Sequence, residues 1–218
     1  MSLYAILSDI HNETDHLEKA LTYLATRKID HYLNLGDMGA RPLTILDAWP
    51  VQHAFGNWEV SQLRKFPAAR QPEIAAWPAL LTGPGWIASH ASPVFPAECV
   101  TLADTQAYMA RHRPRWMQLF PSLLHDEEAV WAAFAQLAAS HRRVAFHGHT
   151  HVQAVQQLGA DNRWRRLSGP HIQLDPGALT LVGVGSVGVP RDGNALRCVI
   201  FDDQSFEIEL VAIPLERP

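Results

Sequence analysis

The chain has 218 residues, of which 47% are apolar and 18% are charged. This composition is typical of a globular domain and excludes a disordered chain, which would carry fewer large apolar residues and more net charge. The formal net charge of -4 gives no global basic surface, so wide binding of nucleic-acid backbones is not expected.

The N-terminal residues predict a βαβ unit. Residues 3–7 are a short apolar run and read as a buried strand, and residues 31–35 read as a second strand. Between them, residues 13–26 place leucines at helical spacing, with Asn12 as the expected N-cap. A strand, a helix and a strand in so short a stretch imply a parallel pair with a right-handed crossover.

The pattern continues with a helix over residues 42–48 and a third strand over residues 51–55. Residues 59–65 and 73–81 are predicted to be helical, with breaks at Pro67, Pro72 and Pro78. Residues 86–89 are predicted to form a strand.

Residues 94–143 carry no strand signal, but they contain two helical runs, at 103–113 and 126–139. We therefore predict a helical insertion over the edge of the sheet at which the strands end, where an active site is expected, and regard it as a candidate lid. The sheet resumes at residues 144–146. Short strands separated by turn signals follow, at residues 152–158, 172–174, 179–184, 195–201 and 206–213. Because no linker or repeat interrupts this order, residues 1–218 are expected to form a single domain.

Strong metal-ligand residues follow five of the predicted strands. Asp, His and Asn without Cys are ligands for hard-to-borderline divalent cations, and two such cations held close together form a clamp for phosphoryl chemistry. Period two places the side chains of an i, i+2 pair on one side of an extended segment. The seven residues are Asp9, His11, Asp37, Asn57, His90, His149 and His151.

This ordered set resembles the calcineurin-like metallophosphoesterase superfamily. The motifs are Asp9-x-His11, Gly36-Asp37-x-Gly39, Gly56-Asn57, His90-Ala91-Ser92-Pro93 and Gly148-His149-x-His151. The run from Gly185 to Gly193 is similar to the Gly-Ser-Val-Gly-x-Pro-Arg-Asp-Gly run of the small bacterial and archaeal, phosphodiesterase-like members. The resemblance implies an α/β fold, a four-layer α/β/β/α sandwich of two mixed sheets.

The resemblance also implies a dinuclear site. One metal would take Asp9, His11 and His151, the other Asn57, His90 and His149, and Asp37 would bridge them. A hydroxide between the metals would attack phosphorus, so Asp37, Asn57 and His90 are the expected catalytic residues. Manganese or iron suits this donor set, and zinc or nickel would also bind.

One departure from the family pattern bears on the substrate. Members often follow the metal-binding asparagine with a histidine that protonates the leaving group, but here the position holds Trp58. An indole cannot act as an acid at neutral pH. The predicted function is therefore a phosphodiesterase for small phosphorylated substrates. The alternatives are a phosphomonoesterase, either a nucleotide or a protein phosphatase, and a catalytically weak binding module.

Three further residues are predicted to contact substrate, each with an alternative. Asn12 would contact phosphate or only cap a helix, Trp58 would stack on a base or only pack, and Arg191 would bind phosphate or only pair with an acid in its turn. His147 is predicted to fill a buried supporting role rather than to replace the missing acid.

The remaining features of the sequence concern the cellular compartment and the partners of the protein. Cys99 and Cys198 are expected to be reduced thiols in a cytoplasmic protein, and no signal peptide or membrane span is predicted. The expected partner is a small phosphorylated substrate; a membrane is not expected, and a nucleic-acid polymer is disfavoured. The apolar stretch at 210–215 leaves a dimer contact open.

Overall fold

Two six-stranded sheets are stacked face to face in a computed structural model that describes residues 2–215. The strands are β1 (Leu3–Leu7), β2 (His31–Asn34), β3 (Val51–His53), β4 (Leu80–Gly83), β5 (Trp86–Ser89), β6 (Val144–His147), β7 (Gln153–Leu158), β8 (Trp164–Leu167), β9 (His171–Gln173), β10 (Leu179–Val184), β11 (Ala195–Asp202) and β12 (Glu207–Pro214). The helices are α1 (Thr14–Ala25), α2 (Leu43–Leu46), α3 (Asn57–Gln62), α4 (Gln71–Ala75), α5 (Leu102–His112), α6 (Trp116–Leu119) and α7 (Glu127–Ala139).

Each sheet contains three adjacent parallel strands together with antiparallel ones. The first has the order β3-β2-β1-β11-β12-β9, with β1, β2 and β3 parallel. The second has the order β4-β5-β6-β10-β7-β8, with β5, β6 and β10 parallel. The two mixed sheets confirm the predicted fold class, and the parallel strands bring their carboxyl ends to one edge of each sheet.

The core alternates across each strand because successive side chains point to opposite faces. Ile6, Leu33, Phe146 and Phe201 are fully buried in the layer between the sheets. Outside the first sheet, α1 buries Leu17, Leu21 and Leu24 against strand residues such as Leu7. Outside the second sheet, α7 buries Phe134 and Leu137 beside Ile87 and Leu181. The result is the predicted order of helix, sheet, sheet and helix.

The helical insertion divides into parts with different roles. The predicted runs correspond to α5 and α7, and α7 packs on the second sheet as a structural layer. The α5 helix packs on α3 and α4. From the segment between α5 and α7, Ser122 and His125 line a cavity together with His149, one of the predicted metal ligands.

Some predicted elements were wrong. The helix predicted over 73–81 ends at Ala75, ahead of the predicted break at Pro78. Residues 80–83, of which the first two fall within that predicted range, instead pair antiparallel with β5. The strand β8 was also missed. Asn12 is not a helix cap: its side-chain oxygen accepts a hydrogen bond from the backbone N–H of Arg41 (3.0 Å).

Cys99 and Cys198 are both buried and form no disulfide in the described structure. Among residues 2–215, no helix combines the length and apolar character required to cross a bilayer.

Candidate metal centre

The loops after five parallel strands meet where the two sheets adjoin. Asp9 and His11 follow β1, Asp37 follows β2, Asn57 opens α3 after β3, His90 follows β5, and His149 and His151 follow β6. The backbone N–H of Asp9 donates to the carbonyl of Gly36 (3.0 Å). Across the sheets, the backbone N–H of His149 donates to Oδ2 of Asp9 (2.8 Å). All seven predicted ligands are thereby brought to one place.

A first group of donors forms around Asp9. Its Oδ1 lies 3.3 Å from Nε2 of His151 and 3.7 Å from Nε2 of His11. The two Nε2 atoms are themselves 3.2 Å apart. Nδ1 of His151 donates a hydrogen bond to the carbonyl of Val189 (2.7 Å), which leaves Nε2 as the atom that faces the group.

A second group forms around Nε2 of His90. This nitrogen lies 3.0 Å from Oδ1 of Asn57, 3.2 Å from Nδ1 of His149 and 3.4 Å from Oδ2 of Asp37. Nδ1 of His90 donates to the carbonyl of Leu35 (3.0 Å), so Nε2 is again the free nitrogen. Anchoring of one imidazole nitrogen by a backbone carbonyl is the usual support of a metal-binding histidine.

The donors fit divalent cations. Ligand atoms of Asp9, His11 and His151 lie within 4.8 Å of one another, and so do those of Asp9, Asp37 and His90. Oδ1 of Asp9 is buried and has no hydrogen-bond partner among the described residues, although buried polar atoms are nearly always paired. A cation would satisfy it. Asp9 belongs to both of these sets, and Asp37 belongs to the second.

The carboxylates and imidazoles of the two groups shift one another's pKa values. Burial opposes ionisation of Asp9, but the imidazoles of His11 and His151 outweigh it and hold the pKa of Asp9 below its ordinary value. Burial likewise opposes charge on His90, yet the carboxylate of Asp37 raises the pKa of His90 to about 9. Burial and the neighbouring His90 lower the pKa of His149 to about 4. Without a cation, the positive charge of this group therefore lies on a protonated His90.

The backbone of the ligand loops is left-handed rather than extended. Asp9 and His11 have φ values of 55° and 51°, and His149 and His151 have φ values of 63° and 61°. The two pairs therefore lie in the turns that follow their strands, in a conformation that is rare for residues other than glycine.

The sequence reasoning missed Glu59, which holds the loop after β2. Its buried Oε2 accepts the backbone N–H groups of Asp37 and Gly56 (both 2.8 Å), and Oε1 accepts those of Met38 (3.0 Å) and Gly39 (3.4 Å). Burial and the nearby charge of Asp37 raise the pKa of Glu59. Glu at the third position of α3 indicates the bond back to the N–H of Gly56, as in half of a capping box, but the bonds to the β2 loop have no local signal in the sequence.

The candidate ligands open onto a cavity of about 680 Å³. Five of them line it, namely His11, Asp37, Asn57, His149 and His151, together with Trp58, Ser122, His125, Thr150, Val189 and Arg191. The Trp58 ring packs edge-on against His11 at a centroid distance of 4.2 Å, and its backbone N–H donates to Oδ1 of Asp37 (2.7 Å). Asp9 and His90 lie beneath the cavity floor, almost fully buried.

The other predicted residues fall in different places. Arg191 is exposed at the cavity and makes no ion pair with any described residue; Asp192 pairs with Arg197 instead. Asn12 lines a smaller cavity of about 190 Å³ on the other side of Trp58. His147 is buried and away from the cavity, and burial lowers its pKa to about 4. The contribution of His125 to the wall carried no signal in the sequence.

Comparison with known proteins gives consistent results. A calcineurin-like phosphoesterase superfamily domain matches residues 1–205. An uncharacterized protein of Methanocaldococcus jannaschii is 25% identical, over 97% of this chain and 87% of its own length.

Solved structures share the fold. A metallophosphoesterase from Sphaerobacter thermophilus superposes with a TM-score of 0.68 at 20% identity, over 99% of this chain and 89% of its own. An archaeal phosphodiesterase superposes with a TM-score of 0.54 at 11% identity, over 97% and 99% of the two chains. At these identities the similarity establishes the architecture alone.

Proposed function

This chain belongs to the calcineurin-like phosphoesterase superfamily, and we propose that it is a phosphodiesterase that uses two divalent cations to hydrolyse small phosphorylated substrates. One observation carries the proposal: oxygen and imidazole donors from five strand ends converge, and Oδ1 of Asp9 is buried among them without a hydrogen-bond partner in the described structure.

The donors divide between two cations as the groups suggest. Asp9, His11 and His151 would hold one, and Asn57, His90 and His149 the other. Asp37, whose carboxylate lies 3.4 Å from Nε2 of His90, is the proposed shared ligand. When bound, such cations supply a nucleophilic hydroxide near neutral pH and neutralise charge on the phosphoryl oxygens. Manganese or iron is the proposed metal, since the site offers oxygen and imidazole donors and no thiolate.

Residues at the cavity wall would bind and orient the ester. Arg191 is a free guanidinium at the rim, and its planar fork suits two phosphoryl oxygens. The backbone of Trp58 fixes Oδ1 of Asp37, and its ring closes the side next to His11. The proposed contact of Arg191 is with the phosphoryl group itself, so it does not depend on which alcohol leaves.

Two features favour a diester over a monoester. The residue after Asn57 is Trp58, whose indole cannot protonate a leaving group from that side. The main cavity also adjoins two smaller ones, and it shares Trp58 with the first and His149 with the second. These spaces offer room for both substituents of a diester.

The test compares hydrolysis of bis-p-nitrophenyl phosphate and p-nitrophenyl phosphate by the manganese-loaded protein. We expect a clear diester preference that is lost in Asp37→Asn and kept in Asp161→Asn, a remote exposed control on the β7–β8 turn. A monoester preference would support the phosphatase alternative. If elemental analysis shows bound metal but neither ester is hydrolysed, the result would support the binding-module alternative.

A further inference from the structure

A histidine outside the predicted ligand set stands between two cavities. His125 lies between α6 and α7 and lines the main cavity with Ser122 and His149. The same three residues line a neighbouring groove of about 400 Å³, whose other walls include the apolar side chains of Met117 and Phe120. The groove therefore continues from the main cavity, and His125 marks the passage between them.

The backbone on both sides of His125 is fixed. Leu123 is fully buried against the side of α7, and its carbonyl accepts a hydrogen bond from Nε2 of Gln156 (2.6 Å). Asp126 caps α7 by accepting the backbone N–H of Ala129 (3.0 Å). His125 itself donates its backbone N–H to the carbonyl of Ser122 (3.2 Å). An exposed imidazole is thus presented from an anchored turn.

The remaining wall residues are poor proton donors. The guanidinium of Arg191 does not lose its proton in proteins, and the indole of Trp58 and the hydroxyls of Ser122 and Thr150 are not acids near neutral pH. His147 lies outside the cavity. The acidic residues Asp126, Glu127 and Glu128 line the groove but not the main cavity. Apart from the candidate metal ligands, His125 is the cavity residue suited to give up a proton.

We propose that His125 donates the proton to the leaving-group oxygen, with the leaving alcohol directed into the groove walled by Met117 and Phe120. This proposal rests on the proposed function, because it assumes that an ester is hydrolysed at the candidate centre. It assigns the role that Trp58 cannot fill to another side chain that lines the same cavity. The apolar side chains of Met117 and Phe120, beside the carboxylates of residues 126–128, favour a neutral aryl or alkyl alcohol over an anionic leaving group.

The step balances as a hydrolysis. An oxygen derived from water forms a bond to phosphorus while the bond from phosphorus to the leaving oxygen breaks, and the electron pair stays on that oxygen. The leaving oxygen takes a proton from the imidazolium of His125 and departs as the alcohol. The proton released by the attacking water passes to solvent, and neutral His125 regains a proton from solvent, so one water is consumed per ester.

The test uses two diesters that differ only in the leaving group, methyl p-nitrophenyl phosphate and methyl phenyl phosphate. Phenol is the weaker acid and needs protonation more. In the manganese-loaded protein, His125→Gln should lower kcat/KM for the phenyl ester by about 100-fold and for the nitrophenyl ester by less than about threefold. His112→Gln, an exposed histidine of α5 outside both cavities, is the matched control and should change neither.

A binding measurement supplies a second readout. Inorganic phosphate presents an oxygen at the leaving position, so its calorimetric affinity for the manganese-loaded protein should fall about tenfold in His125→Gln, with unchanged metal content. Suppose that the wild type is active but His125→Gln lowers kcat/KM equally for both diesters, lowers it for neither, or keeps its phosphate affinity. Any of these results would overturn the role of His125 and leave the proposed function standing. A metal-loaded wild type that hydrolyses neither diester would overturn the proposed function and this proposal together.

Discussion

Replacement of Glu59 by glutamine should destabilise the loop that carries Asp37. The amide oxygen can still accept two of the four backbone N–H groups that the carboxylate accepts, while the amide NH₂ faces the other two. Each buried donor left without an acceptor costs about 1–3 kcal/mol, which gives roughly 2–6 kcal/mol for two. Because burial and Asp37 raise the pKa of Glu59, the neutral side chain recovers part of this cost. We therefore expect a loss of about 3 kcal/mol.

Denaturant unfolding of metal-free Glu59→Gln measures this loss directly. For a chain of this size, about 3 kcal/mol corresponds to a fall in Tm of roughly 6–12 °C. The affinity for manganese should fall about 10–100-fold, because Glu59 supports the backbone of a ligand loop. Glu18→Gln, on the exposed side of α1, should stay within about 0.5 kcal/mol of the wild type. If Glu59→Gln matched that control in stability and in metal affinity, the inferred support of the loop would be refuted.

Further predictions follow from the same site. Since the pKa of His90 is about 9 without metal, manganese binding near pH 7 should release about one proton, and well above pH 9 this release should disappear; calorimetry in buffers of different ionisation enthalpy measures it. Trp58→His should raise turnover of p-nitrophenyl phosphate relative to the diester, and no rise would show that an acid at this position was not limiting. Arg191→Ala should weaken phosphate binding about tenfold in a calorimetric titration, whereas Arg165→Ala, on the remote β8 strand, should not. His147→Ala should lower diester turnover less than tenfold, because the side chain lies outside the cavity; a larger loss at unchanged metal content would assign it a direct role.

The sheet edge that carries the ligands could be predicted because its signal is local. Several of the parallel strands are apolar runs that end just before a metal-ligand residue, as at Leu7 before Ser8-Asp9 and at Ser89 before His90. Parallel strands place such ends at one edge, so the convergence of the donors followed from the strand pattern. Their roles as metal ligands stay a prediction until metal is measured.

The missed strands depend on partners rather than on local sequence. The residues of β4 follow an apolar stretch that also suits a helix, and they are extended because they form a hairpin with β5 through the turn at Pro84-Gly85. The β8 strand has an exposed basic face and lacks alternation, and it exists by pairing with β7 at the sheet edge. The position of His125 also depends on tertiary contacts, because the packing of Leu123 and the cap of α7 bring it to the cavity.

The left-handed ligand residues explain why the site needs so much support from groups that touch no substrate. Asp9, His11, Asp37, His149 and His151 all have φ between 51° and 63°. At about 1–2 kcal/mol per residue, their combined strain is roughly 5–10 kcal/mol, which approaches the whole stability of an ordinary domain. Such a backbone persists only where surrounding contacts determine it more strongly than local preference does. Here the β1 loop is hydrogen-bonded to the β2 loop, the β2 loop to Glu59, and the β6 loop to Asp9. The donors are therefore positioned by a network that joins the two sheets, so a change in one loop is expected to disturb ligands that lie on the others.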